Sequence, residues 1–351
     1  MKIGNTKTIG CDLGDKRSAI CVVDADGKVI KESTVATERE SFLRFFTKHA
    51  PSRVVLEVGT HSRWVSELLG GLSLEVIVAN PRRLGMISGS LSKNDRSDAE
   101  MLARLGRADE LLLAPVLHRS TQAQADLAVL KSRDAVVCVR TKFINILRGL
   151  LKSFGLRVPR CTAEAFAKRA KGVVPPMLEA ALGPCITLIE STNEQLKVLD
   201  KSIEALTKTK YPETARLQQV TGVGPITSLA FVLTVESPTR FAKSRTVGAF
   251  FGLRPKQDQS GDSDKQLRIT KAGDGFVRRL LVGCAQLILG PLGPPSDLRS
   301  FGERLANRGG KNAKRRAVVA VARKLAVLLH RLWVSGEPYV PLGYRAQRAT
   351  A

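Results

Sequence analysis

Residues 8–35 read TIGCDLGDKRSAICVVDADGKVIKESTV, and this stretch decides the fold of the N-terminal part of the chain. Two short runs rich in apolar and β-branched residues, at 8–13 and 19–23, are separated by polar residues. Asp26-Gly27 is a turn dipeptide, and a third run of the same kind follows at 29–35. The pattern predicts an antiparallel meander of three strands.

Helix and strand patterns alternate after the meander. A helical pattern that begins near residue 37 precedes an apolar run at 53–58, and a second helical pattern at 62–69 precedes a run at 74–79. Apolar runs of this length are typical of buried strands. The order β-β-β-α-β-α-β-α predicts an α/β domain over residues 1–112, with a mixed sheet and helices on its faces.

The middle of the chain, residues 113–212, is helical and poor in strand signals. One long helical pattern covers 121–154, and in a second pattern Ile189, Leu196 and Ile203 recur every seven residues. A heptad of this kind predicts a short coiled-coil arm. Two interpretations fit it equally well: a helical hairpin within one chain, or a dimerisation element.

The last part, residues 213–351, is mostly helical and rich in Lys and Arg. Gly222 and Gly224 flank a valine just before a helix that is expected to begin near Pro225. Such a turn lets amides at a helix N-terminus approach phosphate, as in a helix-hairpin-helix element, although an ordinary turn has the same sequence. Glycines and prolines recur within residues 290–311, and this pattern predicts a loop.

The charge of the chain indicates a polyanionic partner. Its 351 residues include 56 Lys and Arg against 32 Asp and Glu, which leaves a net charge of +24. Aromatic residues make up only 5% and no basic amphipathic helix opens the chain, so nucleic acid is favoured over an anionic membrane. Without a spanning segment or a signal peptide, we expect a cytoplasmic, nucleoid-associated protein with no membrane partner.

Two acidic residues interrupt apolar strand patterns. Asp12 lies in the first strand between Gly10 and Gly14, and Glu57 lies near the end of the run at 53–58. A charged residue in a sheet is costly unless it has a counterion. We therefore expect both carboxylates to face one spot.

Asp95 and Asp98 are a second acidic pair, three residues apart at a predicted helix start, where this spacing places both on one side. Ser97 and Glu100 have the spacing of a capping box at the same point. Clustered carboxylates are the ligands that hard ions such as Mg²⁺ or Mn²⁺ prefer, and two such ions can clamp a displacement at phosphorus. The alternative is that these two aspartates only cap the helix.

Three short motifs follow one another in the last part of the chain. They are FFGLRP at 250–255, QSGDS at 259–263 and LRITKAGD at 267–274, followed by a helix that carries Arg278 and Arg279. A strand-centre aspartate between glycines resembles the RNase H-like, RuvC-like nuclease fold. The acidic set and these motifs together resemble the IS110 family of DEDD transposases, which are bridge-RNA-guided recombinases, over nearly the whole chain.

The resemblance implies roles for particular residues. Ser260 matches the family's nucleophilic serine, which forms a 5′-phosphoserine intermediate, but this loop reads Ser-Gly-Asp-Ser where the family has Ser-Gly-Gly, so Ser263 is a second candidate. Without the resemblance, Ser260 would be a polar loop residue. The residues that match the DEDD metal ligands are Asp12, Glu57, Asp95 and Asp98. The residues expected to contact nucleic acid are Gly222, Gly224, Arg254, Arg268, Lys271, Arg278 and Arg279.

The family also implies partners. They are donor and target DNA, a non-coding bridge RNA, and further copies of the chain. One active site takes its RuvC-like domain and its serine domain from different protomers, so a dimer is the smallest catalytic unit and a tetramer is expected in the synaptic complex. DNA-only recognition within the same class of transposases stays open.

Two other functions fit parts of the sequence. The first is a metal-dependent RNase H-like nuclease resembling a Holliday-junction resolvase, in which the acids activate water and Ser260 has no role. The second is a basic helix-hairpin-helix binding protein whose acids are structural, and it predicts no metal dependence at all.

Overall fold

The computed structural model describes residues 7–83, 94–261 and 263–343. The chain divides into two compact units, unit 1 over residues 1–118 and unit 2 over residues 119–351. The division of the chain at residues 113 and 213 that the sequence suggested stays a prediction.

A mixed sheet forms the centre of unit 1. Its strands are β1 (Thr8–Asp12), β2 (Arg17–Val23), β3 (Val29–Ala36), β4 (Ser52–Glu57) and β5 (Leu74–Ala79). The first three strands are antiparallel neighbours, and β4 and β5 extend the sheet parallel to β1. The order across the sheet, for the residues that the structure describes, is β3-β2-β1-β4-β5. The predicted meander and both later strands are confirmed.

Helices cover both faces of this sheet. The phenylalanines Phe42 and Phe46 of the first helix are fully buried in a cluster with Ile9 and Cys11 of β1. Ala99, from a later helix, is buried against the opposite face. The sheet is thus the middle layer of three, as its alternating residues predict. The helices of unit 1 in the described ranges are α1 (Arg39–Phe46), α2 (Ser62–Gly70) and α3 (Asp95–Ala108).

Unit 2 begins with a helical hairpin. Its two long helices, α4 (Thr121–Ser153) and α6 (Pro176–Thr209), are linked through a short helix, α5 (Phe166–Lys171). They are antiparallel, because Arg133 pairs with Asp200 whereas Arg140, farther along α4, bonds Asn193, an earlier residue of α6. The heptad residues are buried within the chain, as the hairpin interpretation predicts; they are Ile189, Leu196 and Ile203.

The rest of unit 2 is built around α8 (Pro225–Val235), most of whose side chains are buried. The expectation of a loop over 290–311 is wrong in part, because α11 (Asp297–Ala306) lies inside it. The Ser296 hydroxyl caps this helix by accepting a hydrogen bond from the Arg299 amide. The helices are α7 (Thr214–Leu217), α8 (Pro225–Val235), α9 (Val247–Phe250), α10 (Gly275–Leu289), α11 (Asp297–Ala306) and α12 (Ala313–Ser335). No helix in the described part of the chain is long and apolar enough to cross a membrane.

A two-stranded hairpin, β6 (Pro255–Ser260) and β7 (Ser263–Ile269), was not predicted. Its residues are mostly polar and exposed, so they lack the alternation of apolar and polar side chains by which a strand is recognised. Backbone hydrogen bonds between the two strands define it instead.

A buried carboxylate joins α4 to the end of α6. Asp126, only 7% exposed, accepts hydrogen bonds from the Lys210 ammonium and the Tyr211 hydroxyl, both at 2.6 Å, and from the Gln122 amide at 3.1 Å. Burial by itself raises the pKa of Asp126, but these hydrogen bonds outweigh burial and hold the pKa below its usual value.

We expect Asp126→Asn to destabilise unit 2 at pH 7 by about 1–3 kcal/mol, because Lys210 and Tyr211 lose their charged acceptor. A depressed folded-state pKa gives stability that is present above the unfolded pKa of about 3.9 and is lost as pH falls through the folded value. The deficit should therefore shrink on going from pH 7 to pH 3 in urea unfolding. An equal deficit at both pH values would contradict this role of the carboxylate.

Candidate active site

Asp12 and Glu57 end two neighbouring parallel strands. In the register of β1 and β4, Cys11 lies opposite Leu56, and the next residue of each strand is the acid. Parallel strands end at the same edge of a sheet, so both carboxylates lie at one edge. Both residues are half-buried.

The two acids also point to the same face. Side chains alternate along a strand, so Asp12 shares a face with Gly10, and Glu57 shares a face with Val55. A Cβ added at Gly10 would meet α3, and Val55 contacts the same helix. Asp12 and Glu57 therefore lie on the face that α3 covers.

The direction of α3 brings the other two acids to this edge. Gly106, near its C-terminus, lies beside Thr8 at the start of β1, whereas Ala99, near its N-terminus, lies against Gly10. The helix thus runs antiparallel to β1 and begins near the Asp12 end. Its first turn carries the exposed Asp95 and the buried Asp98, which is 9% exposed. The four sequence-predicted acids therefore lie at the same edge of the sheet.

The cap of α3 differs from the prediction. The helix begins at Asp95, and its N-cap is Asn94, whose side-chain oxygen accepts a hydrogen bond from the Arg96 amide at 2.9 Å. The capping box of Ser97 and Glu100 is wrong, because Ser97 lies inside the first turn and an asparagine already supplies the capping oxygen. Asn94 rather than either aspartate therefore performs this capping role.

The donor set fits a divalent ion in chemistry, since carboxylate oxygens are what Mg²⁺ and Mn²⁺ take. Among the residues described, no three His, Cys, Asp or Glu side chains are gathered as a preformed metal site. Residues 84–93, which directly precede α3, lie outside the described ranges. Cys11 is no ligand for such an ion, because burial and, after it, the charge of Asp12 raise its pKa and keep the thiol neutral.

Ser260 lies at the tip of the β6–β7 hairpin. It pairs with Ser263, and the connecting Gly261 has a φ of +54°, a backbone conformation that favours glycine. Both serines are exposed. The flexible loop of the sequence interpretation is thus the turn of a hairpin, and it presents both candidate hydroxyls to solvent.

The base of this hairpin is tightly built. Gly252 and Gly273 both have a φ of +68°, and a Cβ there would lie 2.2 Å from the Ala272 carbonyl oxygen and 2.0 Å from the Phe250 carbonyl oxygen, respectively. Only glycine allows the two segments to approach this closely. The motifs FFGLRP and LRITKAGD therefore contact each other at the base of the hairpin.

Two charged residues hold this base from α10. Arg278 donates from Nη1 to the carbonyl oxygens of Phe251 at 3.1 Å and Ala272 at 2.8 Å. Asp274 caps α10, accepting from the Phe276 amide at 2.8 Å. This role of Asp274 was not predicted, although an aspartate just before a helical pattern is an N-cap signal.

Asp274 has a second set of partners. Its side chain is 10% exposed, and its Oδ2 lies 3.3 Å from Arg119 Nη2 and 3.9 Å from Lys131 Nζ. Both cations come from the beginning of unit 2. Asp274 therefore ties the base of the hairpin to the start of α4.

The other predicted nucleic-acid contacts are spread over unit 2. Arg254, Arg268 and Lys271 are exposed around the hairpin, and Arg254 donates to Gln257 Oε1 at 2.7 Å. Arg279 is exposed on α10, where it pairs with Asp134 at 2.5 Å. Whether they contact nucleic acid stays a prediction.

The glycine turn before α8 has the expected backbone. Gly222 has a φ of +85° and lies close to the Cys284 carbonyl oxygen, 3.2 Å from the position of an added Cβ. Gly224 is the N-cap of α8 and is open to its surroundings, but Pro225 at the first helical position has no amide to offer a phosphate.

Comparison with known proteins assigns the family. A model of the DEDD transposases of the IS110 type matches residues 9–155, and a model of the transposase IS116/IS110/IS902 family matches residues 214–294. The transposase for insertion sequence element IS1111A of Coxiella burnetii is 30% identical over 343 residues, covering 95% of this chain and 91% of the relative. The chain belongs to the IS110-type DEDD transposases.

Further relatives agree with this assignment. The transposase for insertion sequence element IS1328 of Yersinia enterocolitica is 28% identical over 295 residues, which cover 81% of this chain and 84% of the relative. A probable family 20 transposase of Pseudomonas aeruginosa is 26% identical over 333 residues, which cover 93% of this chain and 96% of the relative.

The matched ranges contain the candidate site residues of each unit. The four predicted site acids lie within residues 9–155, and Ser260 with its hairpin lies within residues 214–294. The transposase is therefore an enzyme that acts on DNA.

Proposed function

We propose that this transposase cuts and rejoins DNA in insertion-sequence transposition, using the four carboxylates of unit 1 and the Ser260 hydroxyl of unit 2. The observation that carries the proposal is the placement of the four acids at one sheet edge, on the face that α3 covers. A stability role alone would not bring four like charges to one edge, because they repel one another.

We assign unit 1 to the RNase H-like, RuvC-like fold. The strand order β3-β2-β1-β4-β5, with an antiparallel meander followed by two parallel strands, supports this assignment. The first acid lies on the central strand β1, at its last residue and not at the strand centre where the resemblance places it. We assign the hairpin of α4 and α6 to the family's coiled-coil linker, and the turn of Gly222 and Gly224 to a helix-hairpin-helix-like element.

Asp12, Glu57, Asp95 and Asp98 would hold Mg²⁺ or Mn²⁺. When bound, such an ion supplies positive charge next to the scissile phosphate and lowers the pKa of a coordinated hydroxyl. The four residues contribute negatively charged oxygen donors from two strand ends and one helix start, and Asn94 holds the helix start in place.

Ser260 is the proposed nucleophile. Its Oγ forms a bond to the scissile phosphorus while the bond from phosphorus to the 3′-oxygen breaks, and the serine proton leaves as the 3′-oxygen gains one. The product is a phosphoserine linked to the 5′ end. A 3′-hydroxyl of another strand then attacks that phosphorus and releases Ser260, so the number of phosphodiesters is conserved and no ATP is needed.

The cations around the hairpin bind the DNA backbone in this proposal. Arg268 and Lys271, both exposed, would donate to phosphate oxygens near Ser260, and Arg254 and Arg279 would extend the contact. Arg278 instead maintains the base of the hairpin through two backbone carbonyls. Its loss would therefore displace Ser260 rather than remove a phosphate contact.

The proposal includes several partners. Donor and target DNA are the substrates, a bridge RNA guides their choice, and the acids and the serine of one site come from different protomers, in a dimer that becomes a tetramer at synapsis. The net charge of +24 supports simultaneous binding of several nucleic-acid segments. The bacterial cytoplasm, at the nucleoid, is where such substrates lie.

The test is a search for the covalent intermediate. Labelled duplex DNA carrying the junction of the insertion element is incubated with the transposase, the transcript of its flanking region and Mg²⁺, and is resolved on a denaturing gel. We expect a protein-DNA adduct with the wild type and with Ser263→Ala, and none with Ser260→Ala. Ser263 is the matched control, because it is exposed opposite Ser260 in the same hairpin.

Other outcomes contradict the proposal in distinct ways. An adduct lost in Ser263→Ala but kept in Ser260→Ala would identify Ser263 as the nucleophile. Nicked DNA without adduct, unaffected by either change, would identify a metal-dependent hydrolase of the resolvase kind and remove the serine from the mechanism.

A further inference from the structure

A segment near the C-terminus carries concentrated positive charge. Residues 304–316 read RLANRGGKNAKRR, which include six Lys or Arg residues and no acid. They span the end of α11, the connecting loop and the start of α12, and we name them the basic hairpin. All six cations are exposed; they are Arg304, Arg308, Lys311, Lys314, Arg315 and Arg316.

This charge is not compensated by neighbouring acids. None of the six cations forms an ion pair with a residue in the described ranges, whereas Arg299, on the same helix as Arg304, pairs with Glu303 at 2.8 Å. The sequence has no Asp or Glu between Glu303 and Glu337. The basic hairpin is therefore a free positive surface of unit 2.

The basic hairpin has a closely packed base and an open tip. At the base, a Cβ added to Gly302 would lie 2.6 Å from a Leu289 methyl and 2.7 Å from a Val321 methyl, so the two helices approach closely there. At the tip, Gly309 and Gly310 have φ values of +75° and +90°. An open depression of about 510 Å³ lies beside it, lined by Phe301, Arg304, Leu305, Asn307 and Arg308. A closely packed base limits the backbone freedom that this segment loses when it binds a partner.

The positions of three cations oppose local stability. Lys314, Arg315 and Arg316 lie in the first turn of α12, which has no acid and whose N-cap Asn312 makes no side-chain capping bond. The positive end of the helix dipole disfavours cations there. A surface shaped only for stability would carry acids at this place, as α11 does with Asp297.

We propose that the basic hairpin binds the phosphate backbone of a nucleic acid, as a contact surface additional to the residues around Ser260 and to the carboxylates. Guanidinium groups donate to phosphate oxygens in pairs, and ammonium groups add positive charge, so contact depends on phosphate spacing and not on base sequence. The proposal rests on the transposase acting on DNA, and it does not depend on Ser260 being the nucleophile.

The test compares two triple variants of the full chain. One is Lys314→Gln/Arg315→Gln/Arg316→Gln. The matched control is Lys142→Gln/Arg157→Gln/Arg160→Gln, which removes one exposed Lys and two exposed Arg elsewhere in unit 2. Binding to a mixed-sequence DNA duplex and to a structured RNA hairpin is measured by fluorescence anisotropy as a function of KCl concentration.

We expect the variant of the basic hairpin to bind about tenfold more weakly, or worse, at about 0.1 M salt. The slope of its log binding constant against log salt concentration should fall in magnitude by about 2–3, since each phosphate contact contributes roughly 0.9 on duplex DNA. The control should change the slope by less than about 1. A fall confined to DNA or to RNA identifies which backbone is bound. Equal losses in the hairpin variant and the control, on both polymers, would overturn the proposal.

Thermal unfolding separates binding from folding. Removing three cations from the positive end of α12 should leave the Tm unchanged or raise it by about 1–4 °C while binding weakens. A lower Tm together with the weaker binding would mean that the cations act on folding, and it would overturn the proposal. If the wild type forms no Ser260 adduct while the salt slopes of the two triple variants are as expected, only the proposed cleavage mechanism is contradicted.

Discussion

Asp12→Asn is expected to slow DNA cleavage by the transposase about 10³-fold or more, with little effect on folding. The amide has the shape of the carboxylate but not its charge, and it is a poor ligand for a divalent ion. Asp12 ends β1 at the edge where the other three acids also lie, and it has no equivalent substitute on its strand. Cleavage of labelled junction DNA in Mg²⁺ measures the effect, and a thermal unfolding curve checks that the fold is kept.

The matched control for this substitution is Asp26→Asn. It makes the same chemical change on an exposed residue of the same unit, in the turn between β2 and β3, at the opposite end of the sheet. Asn-Gly suits this turn as well as Asp-Gly does. We expect wild-type cleavage. Equal activity of the two variants would show that Asp12 is not part of the active site.

Gly10→Ala is expected to destabilise unit 1 by about 3 kcal/mol or more. The added Cβ would lie 1.9 Å from the Ala99 carbonyl oxygen and 2.6 Å from the Ala103 amide nitrogen. Both are backbone atoms of a helix, so they cannot turn aside as a flexible side chain can. The whole of α3 would have to move off the sheet, and its two aspartates would move with it.

Urea unfolding measures this effect directly. The chain has two tryptophans, Trp64 in unit 1 and Trp333 in unit 2, so a Trp333→Phe background lets Trp64 fluorescence report unit 1 alone. The control is Gly70→Ala at the end of α2, where nothing lies within 4 Å of an added Cβ. An unchanged urea midpoint for Gly10→Ala would mean that α3 does not approach β1 as closely as described.

Local sequence patterns were sufficient for the elements of unit 1. The five strands in the described part of unit 1 were predicted, because each has an apolar run or an alternation that the next turn interrupts. The four acids were singled out for a related reason. A charge within an apolar strand conflicts with its surroundings, and two aspartates three residues apart at a helix start share one side of the helix. Both patterns are visible without a structure.

Polar segments were less well predicted. The β6–β7 hairpin was missed, because residues such as those of KQDQS have no apolar side to bury and the strands form by pairing with each other. The helix α11 was missed because glycines and prolines on both sides of it dominate the pattern over 290–311.

The sequence by itself determined the alternation of strands and helices, the acidic set, the positive charge and the family resemblance, because each depends on the order and type of residues along the chain. Only the tertiary structure decided that Asp12 and Glu57 share a face and that α3 runs back along β1, bringing Asp95 and Asp98 to the same edge. Strand register and helix direction arise from contacts between residues far apart in the chain. The close approach at Gly10 is such a contact, and no local pattern contains it.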